Sequence, residues 1–542
     1  MKYCFLFFWI AVFTAQAQEN ILILSQEGKT RVSANEKGEL TVTISPKEVA
    51  KLKAAGKVQY SDFGAKGDGK TDDIESIAAA HAFANAHGLP VKADAGATYY
   101  IGGKARTAVI RTPTDFGKAA FIIDDTNVEN REAPVFMVSS DKRPFHPEGL
   151  ISLRKNQEKV NLTLPGPCLI TVVNTHVKHY IRYGLNQNAG SPQTDIFIAD
   201  KDGQVDRNAP IIWDFDQITG ITALPIDQTL LHITGGRFTT IANRAESKYN
   251  YYSRNIAIRR SNVTVDGLEH HVTGEGDHGA PYGGFLHIGD CAYVTVKNSI
   301  LTGRKTYNTI GSAGKPVSMG TYDLLVNRAL NISFINCTQT NDINDTKYWG
   351  IMGSNFSKNL LFDGCVFSRF DAHQGVANAT IRNSVLGHMG INAIGSGTFL
   401  VENSILLARN FINLRSDYGS TWQGELIIRN CVFKPFNGRP MSASLVSGHY
   451  SGLHDFGYTC YMPERVIIEN LKIDDASHPE NYQGPALFAD FNPDMKDETY
   501  REEFPYVKTK EVILKNVTTV SGKPLQVSNN AFMFRDVKVR KE

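Results

Sequence analysis

Between Cys337 and Phe433, short runs of alternating apolar and polar residues recur with a shared ending. Four of them are Leu361-Phe-Asp-Gly-Cys365-Val-Phe, Thr380-Ile-Arg-Asn-Ser384-Val-Leu, Leu400-Val-Glu-Asn-Ser404-Ile-Leu and Ile427-Ile-Arg-Asn-Cys431-Val-Phe. Ile335-Asn-Cys337 and Val296-Lys-Asn-Ser299-Ile-Leu extend the series backwards. Alternation in twos, with β-branched residues, predicts strands and not leucine-rich helices. The small residue returns at 337, 365, 384, 404 and 431, with two intervals of 19 and 20 residues and insertions in the others. Units of this length bury their apolar face only by stacking on one another, which predicts a solenoid. The Asn or Gly before each small residue suits a sharp corner, where a positive φ or a side-chain ladder is wanted. The expected fold is all-β, a parallel β-helix.

The regular pattern runs from 256 to 475, through Ile256-Ala-Ile-Arg, Val263-Thr-Val-Asp and Val466-Ile-Ile-Glu-Asn-Leu. Residues 105–250 are less regular and carry Pro134, Pro144, Pro147, Pro165 and Pro167, so they read as early coils plus a long inserted excursion. Residues 476–542 read as a C-terminal loop and last coil, and 18–50 as a short β segment ending in the polar Ser45-Pro-Lys-Glu. Met1-Lys2, an apolar run from Tyr3 to Phe13 and Ala15-Gln-Ala17 predict a signal peptide over 1–17, cleaved near Ala17. The protein is then secreted or periplasmic. No other segment is apolar for long enough to span a bilayer.

One stretch is more specific than the repeats. Val58-Gln-Tyr-Ser-Asp62-Phe63-Gly64-Ala65-Lys66-Gly67-Asp68-Gly69-Lys70-Thr71-Asp72-Asp73 precedes Ile74, Ile77, Ala78, His81 and Ala82 at helical spacing, then Gly88-Leu-Pro-Val and Ala97-Thr-Tyr-Tyr-Ile-Gly. This is strand, glycine-rich turn, a helix capped by Asp72 or Asp73, and strand. The motif, over 58–103, resembles the N-terminal signature of pectate-lyase-like proteins of the pectin-lyase superfamily (pectate lyase 3 type). The resemblance implies a right-handed parallel β-helix over 51–475, with the helix plugging its open end. It also implies a secreted protein that acts on or binds a polysaccharide. The reaction is left open, because this fold hosts lyases, hydrolases, epimerases and adhesins.

Charge narrows the partner. The formal net charge is +2, from 57 basic and 55 acidic residues, which gives no footprint for nucleic acid. Of the cysteines beyond the signal, Cys337, Cys365 and Cys431 share a repeat position with Ser384 and Ser404, so they read as small corner residues and not as disulfide partners.

Equivalent positions of successive coils lie roughly 5 Å apart, so outward polar residues form a stripe along which a glycan can lie. Counted from the corner, His373 and Asn392 are each eight residues on and Asn413 nine. Arg369, His388, Arg409, Arg415 and Tyr418 lie close in phase, and Tyr348, Trp349 and Asn355 belong to the preceding coil. This inventory suits β-elimination on a uronic acid. Asn392, Asn413 and Arg415 would neutralise the carboxylate, His373 would take the C5 proton, and Tyr418 or His388 would protonate the leaving oxygen. Arg369, Arg409, Trp349, Tyr348 and Asn355 would hold the sugar, and Arg304 and Lys305 one coil away would add positive charge.

The expected function is a polysaccharide lyase on an acidic glycan, such as chondroitin sulfate, hyaluronan or pectin. It requires no cofactor. Ca2+ stays open for the loop holding Glu275, Asp277 and His278, which lacks a recognised ligand spacing. A glycoside hydrolase on the same scaffold needs two carboxylates flanking one bond, and the stripe offers only Asp371, Asp417, Asp342 and Asp345. A non-catalytic glycan-binding β-helix is the third alternative.

Overall fold

The computed structural model describes residues 20–25, 28–35 and 39–542; the expected signal peptide lies outside them. The chain is a right-handed parallel β-helix. Among the described residues, 27 strands join one sheet system whose pairings in the solenoid are parallel, from Val58–Gln59 to Lys538–Lys541. Inward positions stack in rows. One runs Ile332, Leu360, Ala379, Phe399, Leu426, Val466, Val512, every member buried. Each large side chain so buried contributes about 1.5–3 kcal/mol against exposure.

The corners follow from local chemistry. Asn383, Asn403, Asn430, Asn470 and Asn516 all have φ near +50°, and Gly364 takes φ +67° at the equivalent place. Their amides form a ladder along the solenoid: Asn516 donates to Asn470 (3.0 Å), Asn470 to Asn430 (2.8 Å) and Asn430 to Asn403 (3.2 Å). The small residue that follows turns inward. Ser384 Oγ donates to the Arg382 carbonyl (2.7 Å) and accepts from the Cys365 amide (3.0 Å). Cys337, Cys365 and Cys431 are buried free thiols at this corner.

Several described regions depart from the repeat, three of them large. Asn20–Ser25, Gly28–Ala34 and Leu40–Thr43 form an antiparallel three-stranded sheet. Ser45-Pro-Lys-Glu, read from sequence as a polar end, instead opens a helix over Pro46–Ala55 through a reciprocal Ser45–Glu48 capping box. The helix Ile74–His87 shares the solenoid core through Ile74, Ile77 and Phe83. Its N-cap residue is Asp73, whose carboxylate accepts from the Lys66 and Gly67 amides (2.7 and 3.0 Å), so it ties down the glycine loop and does not cap the helix.

The third departure matters for the site. Cys168–His179, Ser191–Ala199 and Gly220–Pro225 pair antiparallel as a separate three-stranded sheet with its own small core. Ala108–Ile110, Thr114–Asp124, Phe136–Ser139 and Leu231–Ile241 on either side belong to the solenoid. A buried pair, Lys358 Nζ–Asp195 at 2.8 Å with both side chains 1% exposed, fastens the inserted sheet to the coils. Among the described residues no helix is long and apolar enough to cross a membrane.

Candidate functional site

One outward row of the solenoid organises the polar residues. It runs His287, Leu325, Gly353, Asp371, Asn392, Asn413, Ser447 across seven consecutive strands. Two clefts open on it. The first, about 750 Å³, lies over His287, Leu325 and Gly353; its lining includes Arg182, Tyr249, Tyr251, Tyr322, Trp349, Asn355, Arg369, His373 and Arg415. The second, about 570 Å³, lies over Asn392, Asn413 and Ser447 and is lined also by His388, Arg409, Ser444 and Asp490.

The stripe counted from the corners is therefore split. His373, Arg369, Trp349, Asn355 and Arg415 share the first cleft, whereas His388, Asn392, Asn413 and Arg409 line the second. Two register shifts cause the mismatch. One falls between Phe367 and Arg369, and in the other Ser354 pairs with Ala372 while Asn355 pairs with Gln374. His373 is the extra residue of that bulge, a device that re-aims a side chain out of the ladder. Asp371, not His373, is the partner of Asn392.

Beneath the first cleft lies an ionic network. Asp371, fully buried, accepts from Arg415 Nη1 (3.0 Å to each oxygen), from Arg369 Nη2 (2.6 Å) and from the Tyr322 hydroxyl. Arg415 reaches on to Asp417 (Nη2–Oδ2 2.7 Å), and Arg182 from the insertion meets the same carboxylate at 2.8 Å. Burial alone would raise the pKa values of Asp371 and Asp417. The guanidinium groups overcome it, and both carboxyls are held below their usual range. They are fixed anions, not acids with a proton to give.

His373 sits above this network. Its Nδ1 lies 3.1 Å from Asn355 Oδ1, an acceptor only, so Nδ1 carries the proton and Nε2 keeps its lone pair. Burial, and then the charge of Arg415, lower its pKa to about 3. Tyr418 stands edge-on behind the ring at 5.6 Å. Arg369 is 4% exposed, and its Nε and Nη1 have no hydrogen-bond partner; its guanidinium lies 4.6 Å from the Trp349 ring centre, and Trp349 Nε1 is likewise unpartnered. Tyr249 and Tyr251 stack at 6.4 Å and are about two-fifths exposed (43% and 44%), a platform suited to a sugar face.

Several expectations need correction. Tyr418 is 1% exposed, packed between Arg182 and Arg415, so it positions neighbours and presents no open acid. Arg415 is saturated by two carboxylates, and the unpartnered donors belong to Arg369 instead. Arg304 is 1% exposed and stacked on Tyr282 at 3.7 Å, and Lys305 Nζ donates to the Gly276 carbonyl; neither they nor Tyr348 line the first cleft. Glu275 accepts from the Lys305 amide. Arg182, Tyr249, Tyr251 and Tyr322 escaped the sequence reading. Only the aromatic run Tyr249-Asn-Tyr-Tyr, in a segment without repeat phase, gave a signal.

No protein-family profile and no curated protein matches the sequence. Solved structures do. The tailspike gp61 of Pseudomonas phage phi297 superposes with a TM-score of 0.52 at 12% identity, over 85% of this chain and 80% of that one. The chain has the fold of a phage tailspike. Weaker likenesses are the tailspike gp49 of Pseudomonas phage LKA1 (TM-score 0.47, 13% identity, 89% and 84% covered) and polygalacturonase from Erwinia carotovora ssp. carotovora (0.33, 12%, 87% and 94%). At these identities the likeness concerns the fold alone.

Proposed function

We propose that this protein is a polysaccharide lyase that cleaves an acidic glycan by β-elimination in the first cleft. The observation that carries the reading is the pairing of a neutral, oriented imidazole with a cleft beneath which two carboxylates, Asp371 and Asp417, are locked as anions. A glycosidase needs one carboxyl group that keeps its proton, and this pair supplies none. Elimination needs a base beside a cationic seat for the uronate, which His373 and Arg369 offer.

In this mechanism the uronate carboxylate is drawn by the positive charge of Arg369, whose Nε and Nη1 are buried without a protein partner, and this makes the C5 proton more acidic. His373 Nε2 removes that proton. The electrons form the C4–C5 double bond as the C4–O4 bond breaks. An imidazole with a pKa near 3 is a weak base in the empty cleft, but a bound anion beside it favours its protonated form and strengthens it. Tyr251, which is about two-fifths exposed and carries its phenol proton at neutral pH, is the proposed proton donor to the leaving oxygen. Tyr249 and Tyr251 stack on the sugar, and the acidic substrates to try are chondroitin sulfate, dermatan sulfate, hyaluronan, alginate and pectate.

Ultraviolet absorbance with that panel tests the reading, since elimination leaves a conjugated unsaturated uronate. Its appearance on one glycan, lost in Tyr251→Phe and His373→Gln, is the expected result. Reducing ends without absorbance would mean hydrolysis, and binding without either would mean a non-catalytic glycan-binding protein.

A further inference from the structure

The second cleft has no part in the elimination chemistry just described, yet it continues the same row. Asp371 pairs with Asn392, Asn392 with Asn413 and Asn413 with Ser447, so the second cleft begins one strand from the anchored carboxylate. The strand spacing, roughly 5 Å, is close to the advance of one pyranose unit along an extended chain, so a glycan seated in the first cleft meets this floor with its next units.

The chemistry of the two floors differs. The first cleft collects Arg182, Arg369 and Arg415 with stacked aromatics. The second presents amides and hydroxyls, the His388 imidazole, one guanidinium (Arg409) and one carboxylate (Asp490), so its Arg and Asp charges cancel and it has no Phe, Tyr or Trp ring. Its amides are aligned in advance. Asn392 Nδ2 donates to the Met389 carbonyl (2.8 Å) and Asn413 Nδ2 to Asn392 Oδ1 (2.9 Å), which fixes both planes and leaves Asn413 Oδ1 as an acceptor for hydroxyl groups. His388 Nδ1 donates to the Ile343 carbonyl (2.9 Å), so its Nε2 is a second fixed acceptor. Acceptors fixed this way suit the hydroxyl groups of an uncharged sugar, and a carboxylate there would meet these lone pairs and Asp490 as well as Arg409.

We infer that the second cleft is a subsite for an uncharged sugar unit, so that the substrate is a heteropolymer in which an acidic residue adjoins a neutral one. This rests on the proposed placement of the acidic unit in the first cleft, but not on the reaction.

Binding, not turnover, therefore tests it. The His373→Gln protein is titrated calorimetrically with chondroitin oligosaccharides, which alternate uronate and N-acetylhexosamine, and with oligogalacturonates of equal length. The expected result is at least tenfold tighter binding of the alternating hexasaccharide. Asn413→Ala should weaken that hexasaccharide about tenfold more than the disaccharide, while the exposed Arg409→Ala has the smaller effect. Equal or tighter binding of the homopolymer, or a larger loss from Arg409→Ala than from Asn413→Ala, would overturn the inference, the second by showing that the cleft holds an acidic unit. If the protein binds these oligosaccharides as expected but yields no unsaturated product, the lyase reading fails and the subsite stands.

Discussion

The two clefts share one row of one sheet, yet they are made differently. The second is the ladder itself, with Asn392 and Asn413 facing out at its floor and later coils as walls. The first is roofed by segments far apart in sequence: 182–188 from the inserted sheet, 249–253, 312–320 and Trp349. Repetition supplies spacing and register. The charges and rings that could do chemistry arrive where insertions touch the repeat, and the Arg182–Asp417–Arg415–Asp371 chain marks that contact.

The comparison breaks most sharply at the histidines. His373→Gln should lower turnover on the active glycan by about 100-fold or more, the usual share of a positioned base. His388→Gln should cost only a few-fold, through substrate binding. Initial rates of absorbance increase decide it, and the reverse order would move the chemistry to the second cleft. Stability should divide the same way. Arg415→Met leaves the buried Asp371 and the half-buried Asp417 with one cation fewer, and removing a partner from a buried ion pair costs about 3–5 kcal/mol. Because Asp371 keeps Arg369 and Tyr322, the lower end is expected in denaturant unfolding.

The sequence exposed the solenoid because its causes are local. Alternation sets the inward rows, and asparagines at φ near +50° set the corners. The cleft was only half legible. Counting from the corner placed His373, Asn392 and Asn413 in one line, but the bulge at His373 and the shift after Phe367 break the phase. Polar character did not reveal burial either: Arg304 packs inside on Tyr282, where from sequence it reads as added positive charge. Arg182 and Tyr251 come from segments with no repeat against which to align them.

Acid should distinguish the clefts as well. Burial, with Arg415 and Arg259 respectively, holds His373 and His287 at pKa values of about 3, well below the roughly 6.5 of an unfolded chain. The unfolded state therefore binds more protons between those values. Their contribution to stability is complete above about pH 6.5 and is lost as pH falls towards 3. Each such histidine adds about 1.4 kcal/mol per pH unit to the slope within that window. His373→Gln should flatten the stability–pH curve by about that amount, read from denaturant midpoints. An unchanged slope would mean that the imidazole is already charged in the folded cleft.

The smallest effect is expected from Asn413→Ala. It deletes the 2.9 Å bond to Asn392 Oδ1, but that oxygen is only half-buried and water can replace the lost donor. The net worth of such a bond is about 0.5–1.5 kcal/mol, so the unfolding midpoint should move much less than in Arg415→Met. A loss well above that range would make the amide pair a structural member of the coil. A small loss, combined with weakened oligosaccharide binding, would mean that the fold does not depend on this pair and that its fixed acceptors serve a ligand. The first cleft could not pass that test, because its arginines hold the ions beneath it in place as well as facing the substrate.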